Sequence, residues 1–382
     1  MRICLYTETA LPTLGGQEMV VDALAREFLA LGHEPMVLAP PPRRLAMADH
    51  EFPYAVIRHP RFVSTRRFVS WYTRWLWQLY RTRGFDVLHC HSVYPTGYLA
   101  ALARDRLNVP IVVTSHGGDV REGNCRLAKP GLPARHTAGI AGADALIAIS
   151  QVTRTGFLRL YPPASNIVDI PNGVDIAPFA SGAPRPGGLD SRIRSAAFLL
   201  FLGRLRRQKG VDVLLDAMAI LNSAFDVHLV IAGEGDERLE LQAQSKRLAL
   251  DKRVHFLGPV TGPSKTWLLQ NACFVVMPSR TAEAFPLVVM ESYAAGRPVV
   301  GTAIPGLADL IASGQTGLLV DPESPLELAG ALTTLLADSE LTRACGDRAQ
   351  RIAQGYSWTS VARRHIDLYE QLREMRVARR AA

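Results

Sequence analysis

The sequence is poor in the residues that tie a chain to metal or disulfide chemistry. Five cysteines (4, 90, 125, 273 and 345) are scattered through 382 residues. An odd, unpaired set argues against a disulfide frame and for reduced thiols in the cytosol. None of them falls in a metal-ligand cluster, so no metal and no cofactor is expected. No Asp-x-Asp pair occurs anywhere in the chain. No run reaches about 18 clean apolar residues, so no membrane-spanning helix is expected. Glu8 interrupts the first apolar segment, so no positively charged start is followed by an unbroken apolar core. A signal peptide is therefore not expected either. Internal repeats and low-complexity tracts are absent.

What is present describes a two-domain α/β protein. The length exceeds what one hydrophobic core usually serves, and 48% apolar residues suffice for two. The 30 glycines and 25 prolines are spread along the chain, as turns between strands and helices require, and not gathered as in a disordered tract. The net charge of +8 suits an anionic partner: nucleic acid, an anionic lipid or an anionic substrate. No nucleic-acid motif accompanies it, which leaves the other two.

In the first half, Arg2 to Tyr6 reads as a strand. Leu14-Gly15-Gly16 follows, then a helical pattern with Val20, Leu24, Phe28 and Leu31 on one face. Small residues at a helix start let a phosphate approach the backbone amides. Further strands are predicted at Val37–Ala39, Tyr54–Arg58 and Phe85–His91, and a basic loop opens at Pro40. The polar end of Phe85–His91 is expected to face a crevice. Ile111–Ser115 is another strand, ending at His116-Gly117-Gly118-Asp119. A histidine there is placed either to meet a ligand or to serve the core.

Between residues 58 and 83 stand seven arginines and no acid. Arg67, Arg74 and Arg81 recur every seven residues beside Trp71, Tyr72, Trp75, Trp77 and Tyr80. Three readings stay open for this helix. One is a membrane-surface contact through Arg67, Trp71, Arg74, Trp75 and Arg81. Another is ordinary packing on a sheet, with the arginines in water. Contact with an anionic acceptor is a third.

The second half opens with a buried strand to Leu202, then Gly203-Arg204-Leu205-Arg206-Arg207-Gln208-Lys209-Gly210 and a helix. Arg204 and Lys209, between strand end and helix, are placed to neutralise a pyrophosphate from two sides. Gly233-Glu234-Gly235 ends the next strand. Cys273–Met277, a loop, a helix and Arg297–Gly301 then form a strand–loop–helix–strand unit. Pro286 suits the first helical position. The amides of Phe285, Leu287 and Val288 beside it are free to receive an anion. Glu283 in the loop and Glu291 in the helix suit a ligand with hydroxyls at both ends and phosphate between, such as a nucleotide sugar. The alternative is a loop acid and a solvated acid. Gly306–Asp309 and Gly314–Leu319 are read as continuing the sheet, and Trp358 to about Arg380 as one long helix.

Glu283…Glu291 with seven residues between, Gly296-Arg297-Pro298, Gly203-Arg204…Lys209-Gly210, His116-Gly117-Gly118-Asp119 and the Gly15-Gly16 loop together resemble the retaining glycosyltransferases of family 4. The resemblance covers nearly the whole chain. It implies a GT-B fold, in which two Rossmann-like parallel-sheet domains face each other across a cleft and a C-terminal helix crosses back to the first. The expected boundaries are an acceptor-side domain at 1–180, a linker at 181–189, a nucleotide-sugar domain at 190–357 and the helix at 358–382. The implied activity is transfer of a hexose from a UDP- or GDP-sugar to a hydroxyl acceptor, a lipid-linked glycan or surface-polysaccharide precursor. The implied place is the cytoplasm, peripherally on the inner membrane face.

By the same resemblance His116, Glu283, Arg204 and Lys209 are the expected catalytic residues. Gly15, Gly16, Arg204, Lys209, Gly233, Phe285, Leu287, Val288 and Glu291 are expected to bind the donor, and Asp119 and Arg121 the acceptor. Without an Asp-x-Asp handle, catalysis is expected to need no metal. The family often has glycine where Pro286 stands, which removes one amide from the phosphate site. A nucleotide-sugar epimerase or phosphorylase of the same fold, or a non-catalytic nucleotide-sugar binder, is the alternative.

Overall fold

The computed structural model describes residues 1–12, 15–41, 51–63, 65–185, 198–221 and 225–381. The chain divides into two compact units: Met1–Gly173 together with the C-terminal helix, and Val174–Ser357.

Unit 1 contains β1 (Arg2–Tyr6), α1 (Gly16–Ala30), β2 (Glu34–Ala39), β3 (Ala55–Arg58), α2 (Arg66–Arg83), β4 (Val87–Cys90), α3 (Tyr98–Ala103), β5 (Ile111–Ser115), α4 (Leu132–Ala141), β6 (Ala145–Ala148), α5 (Gln151–Leu160) and β7 (Ile167–Asp169). Its seven strands are parallel, in the order β3-β2-β1-β4-β5-β6-β7. The inner strands are buried on both faces, which is why they read as unbroken apolar runs. Helix α1 covers the sheet with Val20, Val21, Leu24, Ala25 and Phe28, at the three- and four-residue spacing that keeps one face inward.

Helix α2 packs one face on the sheet and leaves its arginines exposed, as the packing reading expects. Tyr72 and Leu76 are fully buried, and Phe68, Trp75, Leu79 and Tyr80 pack against the same core. Arg67, Trp71, Arg74 and Arg81 are exposed. Trp75, expected at a surface, is half-buried with its ring 6.0 Å from that of His59.

Unit 2 contains β8 (Phe198–Leu202), α6 (Val211–Ile220), β9 (His228–Ala232), α7 (Arg238–Arg247), β10 (Val254–Gly258), α8 (Gly262–Asn271), β11 (Val275–Met277), α9 (Leu287–Ala294), β12 (Val299–Thr302), β13 (Gly317–Val320), α10 (Pro325–Ala337) and α11 (Ser339–Gln354). Its six parallel strands run β10-β9-β8-β11-β12-β13. Gly306–Asp309, read from sequence as sheet, is a turn instead. Gly306 has φ +90° and its amide donates to Asp309 Oδ2, so the segment has no ladder to join. The unit division falls at Gly173–Val174, ahead of the expected boundary at 180. The described part of the expected linker lies on α8, where Gln270 bonds the Phe179 and Ser181 carbonyls and the Ala183 amide. The rest, from Pro186 to Leu189, is outside the described residues, as are the arginines of the Pro40 loop.

The last helix, α12 (Trp358–Ala381), returns to unit 1. Val361, Ala362 and Tyr369 are buried there, with the Tyr369 ring against Phe28 of α1.

Candidate functional site

In unit 2 the candidate residues stand on loops that leave the C-terminal ends of parallel strands, where such sheets open toward ligands. The loop after β8 is pressed against that after β9. A Cβ on Gly233 would lie 1.8 Å from the Gly203 carbonyl oxygen, so the two backbones touch where no side chain fits. Gly210, at φ +65°, approaches β11 as closely: a Cβ there would lie 2.0 Å from the Pro278 oxygen. This approach brings Lys209 against the loop that carries Glu283.

Lys209 Nζ donates to Glu283 Oε1 at 2.5 Å, and Ser279 Oγ donates to the same oxygen at 2.8 Å. The lysine and glutamate side chains are 24% and 19% exposed, so solvent weakens their attraction only in part. The loop is fixed from below. The Glu283 amide donates to the Pro305 carbonyl at 3.0 Å, and the Thr302 hydroxyl donates to the Ser279 carbonyl at 2.5 Å. Arg280 adds a two-point bond to Asp212 at the start of α6, at 2.6 and 2.7 Å. Arg204 is exposed and forms no ion pair with a described residue.

Helix α9 begins at Leu287, one residue later than the sequence suggests. Pro286 is its cap, with ψ 100°, and accepts the Val289 amide at 3.0 Å. The amides of Phe285, Leu287 and Val288 donate to no acceptor among the described residues. Together with the helix dipole they form a local anion-attracting point. Glu291 is not free: its Oε1 accepts from Lys265 Nζ of α8 at 2.6 Å. Ser279, Lys265 and Arg280 were not anticipated. Ser279 lies four residues before Glu283 and was within reach of a closer reading. Lys265 lies 26 residues before Glu291, on another helix, with nothing local to pair them.

Unit 1 gathers histidines. His116 follows β5, and His91 follows the neighbouring β4. His91 Nδ1 and His116 Nε2 are 3.1 Å apart, with the rings stacked at 12°. His89 is held at both nitrogens, by Thr114 Oγ1 and by the Tyr369 hydroxyl, each at 2.7 Å. The polar end of β4 therefore builds an internal network and does not point outward. Burial, with a contribution from His365, pushes His116 down to about 4. Burial, with the neighbouring histidines, also holds His89 and His91 well below the ordinary range. Asp119 bonds the Ser115 hydroxyl and, at 2.5 Å, the Val93 amide. Its carboxylate thus orders the two strand-end loops and is not joined to His116. Arg121 is exposed. Gly15 caps α1 and Gly16 is its first residue, while Leu14 is outside the described residues. Among the described residues no group of three His, Cys, Asp or Glu is placed to hold a metal ion.

The two halves of the chain match two family models: Glycosyltransferase Family 4 over residues 14–178 and Glycosyl transferases group 1 over residues 192–352. The phosphatidyl-myo-inositol mannosyltransferase of Mycolicibacterium smegmatis is 31% identical, over 97% of this chain and 94% of its own. A D-inositol 3-phosphate glycosyltransferase of Catenulispora acidiphila is 33% identical, over 75% of this chain and 72% of its own. Among solved structures, Anabaena HepE in complex with UDP superposes with a TM-score of 0.79 at 22% identity, covering 97% of this chain and all of that one. The chain belongs to the family 4 and group 1 glycosyltransferases and is a nucleotide-sugar-dependent glycosyltransferase of the GT-B fold.

Proposed function

We propose that this enzyme moves a hexose from a UDP- or GDP-sugar to a hydroxyl of a lipid-linked glycan or surface-polysaccharide precursor, with retention at the anomeric carbon. The observation that carries the reading is the cluster around Glu283: a carboxylate held by Lys209 and Ser279, beside a helix start whose amides are unbonded. Arg204, Lys209 and the Leu287 and Val288 amides receive the diphosphate. As the bond from the anomeric carbon to the phosphate oxygen breaks, its electron pair leaves with the diphosphate, and these groups oppose the growing charge. The acceptor oxygen attacks from the face that the diphosphate leaves, and its proton passes to a leaving phosphate oxygen. No enzyme nucleophile is invoked.

Glu283 accepts hydrogen bonds from sugar hydroxyls through its second oxygen. Glu291 does the same for the ribose, while Lys265 holds its first. The backbone at Gly233 lines the nucleotide, and His116 serves the sugar. Gly15 and Gly16 offer a close backbone approach on the unit 1 side, where Asp119 and Arg121 stand near the acceptor.

Two observations support a lipid-linked acceptor at a membrane face. The name of the Mycolicibacterium smegmatis relative joins mannosyl transfer to a phosphatidyl-inositol, a lipid. Helix α2 exposes Arg67, Arg74 and Arg81 with Trp71, a basic and aromatic surface suited to anionic headgroups. The test is mass spectrometry, with NMR of the anomeric proton to read configuration and donor isomerisation, of reactions with a panel of UDP- and GDP-hexoses, with and without anionic lipid acceptors. The expected result is nucleotide release from one donor, accelerated by lipid, and a product with the donor's anomeric configuration. An inverted product would overturn retention. Donor isomerised without acceptor would indicate an epimerase, and binding without turnover a non-catalytic protein.

A further inference from the structure

His91 has a nitrogen that nothing among the described residues satisfies, and its consequence reaches His116. His91 is fully buried, and its backbone amide is committed to the Tyr6 carbonyl at 2.8 Å. Its Nδ1 faces His116 Nε2 at 3.1 Å, while its Nε2 is buried without a hydrogen-bond partner. The His89 ring lies 4.2 Å away, centroid to centroid, and both of its nitrogens are engaged elsewhere.

Two neutral imidazoles share one hydrogen across that contact, so only two arrangements exist. If His116 donates from Nε2, His91 accepts at Nδ1 and must carry its own proton on Nε2. That places a buried N–H where no acceptor stands among the described residues. If His91 donates from Nδ1, its Nε2 is a bare lone pair. Among buried backbone groups an orphan N–H is rarer than an under-satisfied acceptor, and by the same preference the second arrangement is favoured here. It fixes His116 with Nε2 as acceptor and its proton on Nδ1. That Nδ1 has no partner among the described residues.

We propose that His91 is a positioning residue that locks His116 in the Nδ1–H tautomer, so that His116 meets the donor sugar as a hydrogen-bond donor and not as a base. This rests on the reading that His116 serves the sugar. The lock is indirect. Tyr369 and Thr114 hold His89, the His89 ring lies against His91, and His91 sets the proton on His116. His116 then offers an N–H to a sugar hydroxyl oxygen, or to oxygen that gains charge as the glycosidic bond breaks.

The decisive measurement is ¹⁵N NMR of the histidine ring nitrogens in the full chain at neutral pH, with His116 assigned by its loss in His116→Ala. A protonated Nδ1 and a bare Nε2 on His116 are expected. The reverse pattern overturns the proposal without recourse to any His91 variant. In kinetics, His91→Phe keeps a ring but no donor. It is expected to lower kcat about tenfold, the worth of one hydrogen bond of ordinary strength, with KM for the nucleotide sugar unchanged. His91→Asn carries its amide near the position of Nδ1 and restores most of the rate. His91→Gln carries its amide near that of Nε2 and does not. A wild-type kcat in His91→Phe, or equal rescue by Gln, overturns the proposal. The underlying reading fails separately: a His116→Ala enzyme with wild-type turnover removes His116 from the reaction, whatever its tautomer.

Discussion

Replacing Lys209 with alanine separates a catalytic role from a structural one. A unit charge about 4 Å from another contributes at most about 4 kcal/mol at the effective dielectric of a partly exposed site. Removing one preorganised charge-stabilising group typically costs about 10²–10³ in kcat. The cost to folding is much smaller. The Lys209–Glu283 pair is part-exposed, and Glu283 keeps its bond from Ser279, so about 1 kcal/mol of stability is at stake. For unit 2, Val174–Ser357, that is a fall of about 2–4 °C in Tm. The assay is the initial rate of nucleoside diphosphate release at saturating donor, paired with a thermal melt. A kcat within about threefold of wild type, or a loss that only follows the unfolded fraction, would refute the assignment. Glu283→Gln sharpens the test. The amide oxygen still accepts from Ser279, but Lys209 loses its counter-charge. Nucleoside diphosphate alone should then bind several-fold more tightly while turnover falls. If affinity and turnover fall together, the carboxylate does not oppose the diphosphate.

Acid should weaken unit 1 before it harms unit 2. Burial holds His116 and His365 at about 4 against an ordinary 6.5, so the unfolded chain takes up protons that the folded chain refuses. Stability should therefore fall as pH drops from 6.5 toward 4, by about 1.4 kcal/mol per pH unit for each such histidine; denaturant melts that are flat across this range would contradict it. Gly306→Ala should destabilise the chain by about 2 kcal/mol or more and depress activity. Its φ is +90°, and the added Cβ would lie 1.8 Å from the Glu283 carbonyl oxygen. A variant that melts and turns over like wild type would show that the loop yields freely. Changing Arg67, Arg74 and Arg81 together to glutamine should leave the melt unchanged and weaken sedimentation with anionic vesicles about a hundredfold, at roughly 1 kcal/mol per arginine. Unchanged vesicle binding would assign these arginines to solvent alone.

Much of the fold was legible because parallel strands buried on both faces appear as short apolar runs, and the loops after them carry the charged and glycine residues. Lys209 and Glu283 could be chosen from those loops. That they bond each other could not, because 74 residues separate them. His116 was visible at a strand end, whereas its neighbours were not. His89 and His91 stand at the polar strand end expected to face a crevice, and their ring contacts come from the end of β5 and from α12, distant in sequence. The Gly306 turn passed for a strand because its apolar flanks, Ile304 and Leu307, are buried although they belong to no ladder. Helix α2 resisted a single reading because its aromatic residues serve both faces.

The placement of α12 also orders events at the ribosome. Tyr369 reaches His89 across 280 residues of sequence, and the region made between them includes the whole of unit 2. Unit 2 is continuous and can close as soon as it emerges. Unit 1 begins first and finishes last, with its histidine interior incomplete until the final helix arrives. A nascent chain whose residues up to about 357 have cleared the ribosome would hold one finished half and one still waiting for its closing piece.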